Sequence, residues 1–191
     1  FVTEVPLCRW DAQAIFDPDP DADGHASYAR HGAFVASCDL FDAASFGISA
    51  AEARTMDPQQ RMLLELTQEA LCSSRGSAPN SPLGGAQVSV AVGMCNYDWP
   101  WVVLGEAVNA FSAAASHPSI AASRLSFAFG LRGPSVLVDT ACSASLVALD
   151  AAAEPIAHRS WPAALAAGVK VMLAPNLWIM QCRARMLSPT G

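Results

Sequence analysis

The chain has 191 residues, of which 52% are hydrophobic and 15% charged, and its net charge is −6. That apolar content excludes a disordered chain, and the length allows one domain with a substantial core. The 11 basic residues are scattered without a run, which argues against a nucleic-acid or anionic-membrane partner, because both need clustered positive charge.

The cysteines, at 8, 38, 72, 95, 142 and 182, form no C-x-x-C pair, and no histidine stands at zinc-ligand spacing from them. They read as reduced, mostly buried thiols, not as a zinc site or a disulfide framework. The opening FVTEVPLCRWDAQ carries Glu4, Arg9 and Asp11 and lacks the apolar stretch of a signal peptide. No run of about 18 apolar residues is free of charge and proline, so no membrane-spanning helix is expected. A cytoplasmic location is the default that follows. The chain starts at Phe1 and stops at Ser188-Pro-Thr-Gly191, and both ends read as cuts.

In chain order, residues 1–35 read as turn-rich and polar, with Asp17-Pro-Asp-Pro-Asp21 and Gly24 as a surface loop. The first strong helix begins at Asp57-Pro58-Gln59-Gln60. Asp57 suits the N-cap, Pro58 the first helical position, and Gln60 has capping-box spacing. Met62, Leu63, Leu66 and Ala70 extend it to about residue 73, ahead of Gly76. Arg61 reads as an ion-pair or cap partner. Val88–Val92 predicts a buried strand, Ala113–Ala115 and Ser119–Phe129 predict small-residue helices, and Ser135–Asp139 predicts a second strand. A third strand is expected within Ala163–Leu173, where Lys170 is out of character for a fully buried strand. Strands alternating with helices at crossover spacing point to an α/β fold with a largely parallel sheet.

The informative stretch runs from Val136 to Leu149. A strand ends at Asp139-Thr140, small residues surround Cys142, and a helix follows with Leu146, Leu149 and Ala153 on one face. Cys142 is therefore expected at or just before a helix N-terminus. The unpaired N–H groups and the helix dipole there favour a thiolate, the form that attacks carbonyls. N–H groups of the same turn would also hold a developing oxyanion. By spacing alone a lone cysteine after a strand is more often a small buried hydrophobe.

The segment DTACSASLVAL (139–149) closely resembles the nucleophile motif of β-ketoacyl synthases, in the form found in type I polyketide synthases and animal-type fatty acid synthases. The resemblance extends in order through RWD (9–11), FDAASFGIS (41–49), EARTMDPQQRMLLELTQEAL (52–71), VAVGMCNYDW (90–99), SRLSFAFGLRGPSVLVDTACSAS (123–145), AGVKVML (167–173) and MLSPTG (186–191). It implies a thiolase-like αβαβα fold, of which residues 1–191 form a partial N-terminal domain lacking the first strand and the C-terminal half. It implies that Cys142 accepts an acyl chain from the phosphopantetheine arm of an acyl carrier protein. That arm belongs to the partner, so no cofactor or metal is expected on this chain. A malonyl-type thioester would then lose carbon dioxide and attack the acyl group. A homodimer is implied, with an interface around the nucleophile strand.

The family's two catalytic histidines lie in HGT and GH contexts in its second half. No HGT occurs here, His31 being in H-G-A, and the G-H dipeptide Gly24-His25 lies in the loop-rich N-terminal part and not in a second half; His25, His31, His117 and His158 read as surface or structural groups. The resemblance therefore implies that the isolated chain does not condense. A non-catalytic fragment that only dimerises or binds carrier protein is the alternative to a condensing domain. An α/β-hydrolase is disfavoured because no G-x-S-x-G occurs. Within the matched part, Ser45 stands where the family has Phe, Ala167 where it has Gly and Lys170 where it has Asn. Pro155 falls in the helix after Cys142, where it is expected to end that helix early. The pairing of DTACSAS with MDPQQR favours polyketide over fatty acid synthesis.

Overall fold

A computed structural model of the chain describes residues 2–22, 24–74, 85–95, 97–103, 105 and 107–189. Its elements in chain order are β1 (Val2–Glu4), β2 (His31–Ala33), α1 (Ala50–Thr55), α2 (Pro58–Ser74), β3 (Val88–Met94), α3 (Trp99–Val102), α4 (Ser112–Ser116), α5 (Ile120–Phe129), β4 (Ser135–Val138), α6 (Ala144–Ala157), β5 (Ala163–Val169) and α7 (Pro175–Arg183). Short 3-10 turns occur at Gln13–Ile15, Ala43–Phe46 and Ala141–Ser143. The chain divides into two compact units, one of residues 1–37, 98–106 and 171–191 and the other of residues 38–97 and 107–170.

The larger unit is built on a parallel sheet of order β4-β3-β5. β3 is central and almost wholly buried, which explains its unbroken apolar run: both of its faces are covered. Val90, Val92 and Met94 face a core with Met56, Leu63, Leu64, Ala121, Ala122 and Leu125, so this side of the sheet packs on α2 and α5. On the opposite side Ala91 meets Ala148 and Ala152 of α6. The alternation along β3 thus serves two helical layers at once.

Three expectations for α6 and β5 need correction. The buried stripe of α6 is Ala144, Ala148 and Ala152, whereas Leu146 and Leu149 are 69% and 55% exposed and Ala153 is exposed too. Alanines let the helix lie close on the sheet, and leucines would hold it off. Pro155 does not end α6, which continues to Ala157. Its missing N–H falls in the last turn, and its carbonyl accepts from Ser160 and Trp161 N–H at 2.9 and 3.2 Å, closing the helix end. Finally, β5 stops at Val169, so Lys170 lies outside the strand and is exposed.

The α2 start is as expected at Asp57, whose Oδ1 accepts from Gln59 N–H at 2.8 Å. Gln60 does not complete a capping box. Its Nε2 donates to the carbonyls of Ala115, Ala114 and His117, and its Oε1 accepts from Arg124 Nε at 2.8 Å. Arg124 also pairs with Glu52 at 2.7 Å. Arg61 is a cap partner: its Nε donates to the carbonyl of Met56, just past α1, at 2.9 Å. Burial pulls the Arg61 guanidinium below its usual range, and the charge of Asp57 opposes this. Ser45 is accounted for as well, since its hydroxyl and N–H both bond to Asp42 and close the 43–46 turn. These two bonds, the hydroxyl first, hold the Asp42 carboxyl below its ordinary value.

The smaller unit corrects the reading of residues 1–35 as merely turn-rich and polar. β1 pairs antiparallel with β2, Val2 opposite Ala33 and Glu4 opposite His31. Val5, Trp10, Ala12, Tyr28 and Ala29 are buried with Trp178 and Cys182. Trp10, Phe34 and Trp178 form an aromatic trio with centroids 5.8 to 6.2 Å apart. At its centre Ser27, 1% exposed, accepts from Trp178 Nε1 at 3.0 Å and donates to the carbonyl of Ala29 at 2.6 Å. Short strands and isolated aromatics between prolines carry no clear period, so pattern alone misses them. The Asp17–Asp21 loop is as expected, with Asp17 and Asp19 carboxylates accepting N–H groups two residues on.

Candidate active site

Cys142 lies two residues before the first residue of α6, in the tight turn Ala141–Ser143 that follows β4, and it is exposed. The sequence expectation for its position is met. The strands β3, β4 and β5 are parallel, and Cys95, Asp139-Thr140 and Lys170 each follow the last residue of one of them. The thiol therefore sits at the carboxyl ends of a parallel sheet, where α/β folds characteristically place ligands.

Two glycines that the motif reading did not single out set the height of this turn. Gly93 near the end of β3 and Gly168 near the end of β5 are register partners. A Cβ on Gly93 would stand 2.5 Å from the carbonyl of Ala144 and the N of Ser145. One on Gly168 would stand 2.4 Å from Ser145 Cβ. The first turn of α6 thus rests directly on the sheet backbone, and the nucleophile turn is carried by it. The available signal is a glycine late in an apolar strand, which marks a close backbone approach.

The turn itself is strained and tied. Ala141 has φ 54°, the left-handed region that L residues other than Asn and Asp seldom adopt. Asp139 Oδ1 accepts from Ala141 N–H at 3.1 Å, and Asp139 Oδ2 accepts from Tyr97 Oη at 3.3 Å. From the other side Ser143 Oγ donates to the Thr140 carbonyl at 2.9 Å and bonds Thr140 Oγ1 at 3.0 Å. Ser143 is therefore used to close the turn and does not cap α6 with its side chain.

Burial pushes the Tyr97 phenol above its ordinary range, and the charge of Asp139 and the hydrogen bond to it act in the same direction. Cys95 follows Met94, the register partner of Val169, so it leaves β3 beside the point where Lys170 leaves β5. Its thiol is buried, and burial pushes its pKa up, opposed by the charge of Lys170 and reinforced by Asp139 and Cys142.

Two of the four histidines, His117 and His158, lie in this unit. His158 ends α6 at the side opposite Cys142, more than about 20 Å away at 1.5 Å per residue. His117 is exposed, and its Nδ1 bonds Ser119 Oγ at 2.7 Å. His25 and His31, in the smaller unit, are exposed. Among the described residues no group of His, Cys, Asp and Glu is arranged to hold a metal ion, and no helix is long and apolar enough to cross a membrane.

The family model described as "Beta-ketoacyl synthase, N-terminal domain" matches residues 1–191. The chain is 41% identical over 192 residues to a phenolphthiocerol/phthiocerol polyketide synthase from Mycobacterium tuberculosis, covering 100% of this chain and 10% of that protein. It is 43% identical over 192 residues to the polyketide synthase ThaG of Burkholderia thailandensis, covering 100% of this chain and 3% of that protein. The chain thus spans a tenth or less of these relatives. Among solved structures, the oxazolomycin ketosynthase domain OzmH KS7 of Streptomyces albus JA3453 superposes with a TM-score of 0.88 at 32% identity, over 98% of this chain and 33% of that one. The ketosynthase from module 6 of the bacillaene synthase of Bacillus subtilis 168 superposes with a TM-score of 0.83 at 28% identity, over 100% of this chain and 30% of that one. The thiolase-like α/β fold expected from the motifs is the fold of these neighbours, matched here over part of its length. With an exposed cysteine on a tied turn at the head of α6, a parallel sheet beneath it and a family match along the whole chain, this sequence belongs to the β-ketoacyl synthases, as the N-terminal portion of a polyketide synthase ketosynthase.

Proposed function

We propose that Cys142 is the acyl-accepting nucleophile of a condensing domain in polyketide synthesis. One observation carries the reading: the thiol is exposed on a turn set at the N-terminal end of α6 and at the carboxyl ends of the parallel strands. The Cys142 sulfur attacks the thioester carbonyl of an acyl chain on a carrier protein's phosphopantetheine arm. The C–S bond to the arm breaks, the arm leaves as a thiol, and the acyl group stays on Cys142. Backbone N–H groups of the turn and the start of α6 stabilise the developing oxyanion. A malonyl-type thioester then loses carbon dioxide, and its carbanion attacks the acyl carbonyl, releasing the Cys142 sulfur and giving a β-ketoacyl thioester two carbons longer.

The condensing step in this family uses histidines in HGT and GH contexts of its second half, and no HGT occurs in this sequence. The chain by itself is therefore read as competent for loading and not for condensation. Homodimerisation fits the same region. Phe127 of α5, Val136 of the edge strand β4, and Leu146 and Leu149 of α6 are 90%, 46%, 69% and 55% exposed, and a second copy would cover them.

Incubation of the polypeptide carrying this chain with a radiolabelled acyl thioester tests the reading. The label is expected on Cys142, blocked by prior iodoacetamide treatment and lost in Cys142→Ala. Equal labelling of the Ala variant would overturn it. The 191 residues alone are expected to give no β-ketoacyl product.

A further inference from the structure

We propose that Tyr97 is a positioning residue for the Cys142 turn, acting through the carboxylate of Asp139; this rests on Cys142 being the nucleophile. Ala141, immediately before Cys142, is held at φ 54°. A left-handed alanine persists only where its surroundings over-determine it. The hold comes from Asp139 Oδ1, which accepts Ala141 N–H at 3.1 Å. Asp139 is itself exposed, so its carboxylate would turn freely about the terminal torsion if only one oxygen were engaged.

The second oxygen is engaged, by Tyr97 Oη at 3.3 Å. Tyr97 stands three residues past the end of β3 and packs against the main core, so its ring is anchored to the sheet rather than to the turn. The contacts run from the core through the phenol and both carboxylate oxygens to the amide before the nucleophile. Burial and the Asp139 charge keep the phenol in its protonated, donating form, as this relay of contacts requires.

Removing the hydroxyl while keeping the ring is the cleanest test. In the polypeptide carrying this chain, Tyr97→Phe is expected to slow Cys142 alkylation by iodoacetamide, by up to about tenfold, the scale of one net hydrogen bond. With acetyl-N-acetylcysteamine as acyl donor, the limiting acylation rate is expected to fall by the same factor with KM unchanged. In an Asp139→Ala background, Tyr97→Phe is expected to add nothing, because the intermediary is gone. Unfolding midpoints of all four forms separate positioning from a folding defect, and Asp139→Ser, whose hydroxyl can still accept from Ala141 N–H but is too short to reach Tyr97, serves if the Ala variant does not fold. Unchanged alkylation in Tyr97→Phe, or an equal loss with and without Asp139, would overturn the proposal. A wild-type thiol that is alkylated but never acylated would instead overturn the assigned function, and alkylation would still decide the role of Tyr97.

Discussion

Gly93 lies against Ala144 so closely that a single added carbon would stand 2.5 Å from the Ala144 carbonyl. The end of β3 and the first turn of α6 are therefore in backbone contact, and the position of Cys142, two residues upstream, depends on that contact. Gly93→Ala must displace backbone, not a flexible side chain. It is expected to cost about 1 to 3 kcal/mol, the range for overpacking a core. Urea denaturation and the iodoacetamide reactivity of Cys142 should both report the change; a variant normal in both would show that the turn has slack.

Gly168 makes the matching contact with a side chain, and this allows a rescue. Gly168→Ala would meet Ser145 Cβ at 2.4 Å, whereas the next atom, Ser145 Cα, is 3.3 Å away. Adding Ser145→Gly removes the first clash. The double variant is expected to regain Cys142 reactivity while losing about 1 kcal/mol for a glycine in a helix. A double variant no more reactive than Gly168→Ala would show that the clash does not set the turn.

Arg124 holds two partners, Gln60 at 2.8 Å and Glu52 at 2.7 Å, and is almost buried. Arg124→Met strips the donor from the fully buried Gln60 amide oxygen and is expected to cost about 1 to 3 kcal/mol. Glu52→Gln, which keeps an acceptor on a more exposed side chain, should cost less. The order of the two unfolding midpoints checks this, and a larger loss for Glu52→Gln would contradict it.

The Tyr97 phenol should titrate above its ordinary value in the near ultraviolet, because burial and the Asp139 charge oppose the phenolate. Asp139→Asn should bring the midpoint down toward that value. A raised folded pKa favours the protonated phenol, so its contribution to stability is fully present below the unfolded value and is lost as pH rises through the folded one. A Tyr97→Phe variant should therefore lose less stability across that alkaline window than the native chain. No difference between the two would show that the phenol is not held.

Pro155 should cost little where it stands. Pro155→Ala would restore a donor in the last turn of α6 and is expected to change stability by less than about 1 kcal/mol, well short of the ~3 kcal/mol of a helix interior. A change above about 2 kcal/mol in thermal or urea denaturation would place the proline's strain deeper in the helix.

Much of the larger unit is legible in the residues alone. Asp57-Pro58 starts α2, the β-branched run at 88–92 and the segment 135–138 make parallel strands, and the small residues around Cys142 place the thiol just ahead of a helix. These signals are local: caps, strand runs and turn residues act within a few positions of themselves. The smaller unit is not legible in this way, because Trp10, Tyr28 and Trp178 acquire their burial only when distant segments meet.

How the nucleophile turn is held, and which side of α6 is covered, emerge only from long-range packing. That helix is apolar on more than one side, so its periodicity permits either the leucine or the alanine stripe to face the sheet. The backbone contact at Gly93 and Gly168 leaves room only for Ala144, Ala148 and Ala152 beneath it, and it turns Leu146 and Leu149 outward. The tie from Tyr97 through Asp139 to Ala141 spans three places in the chain and exists only because β3 and β4 end side by side.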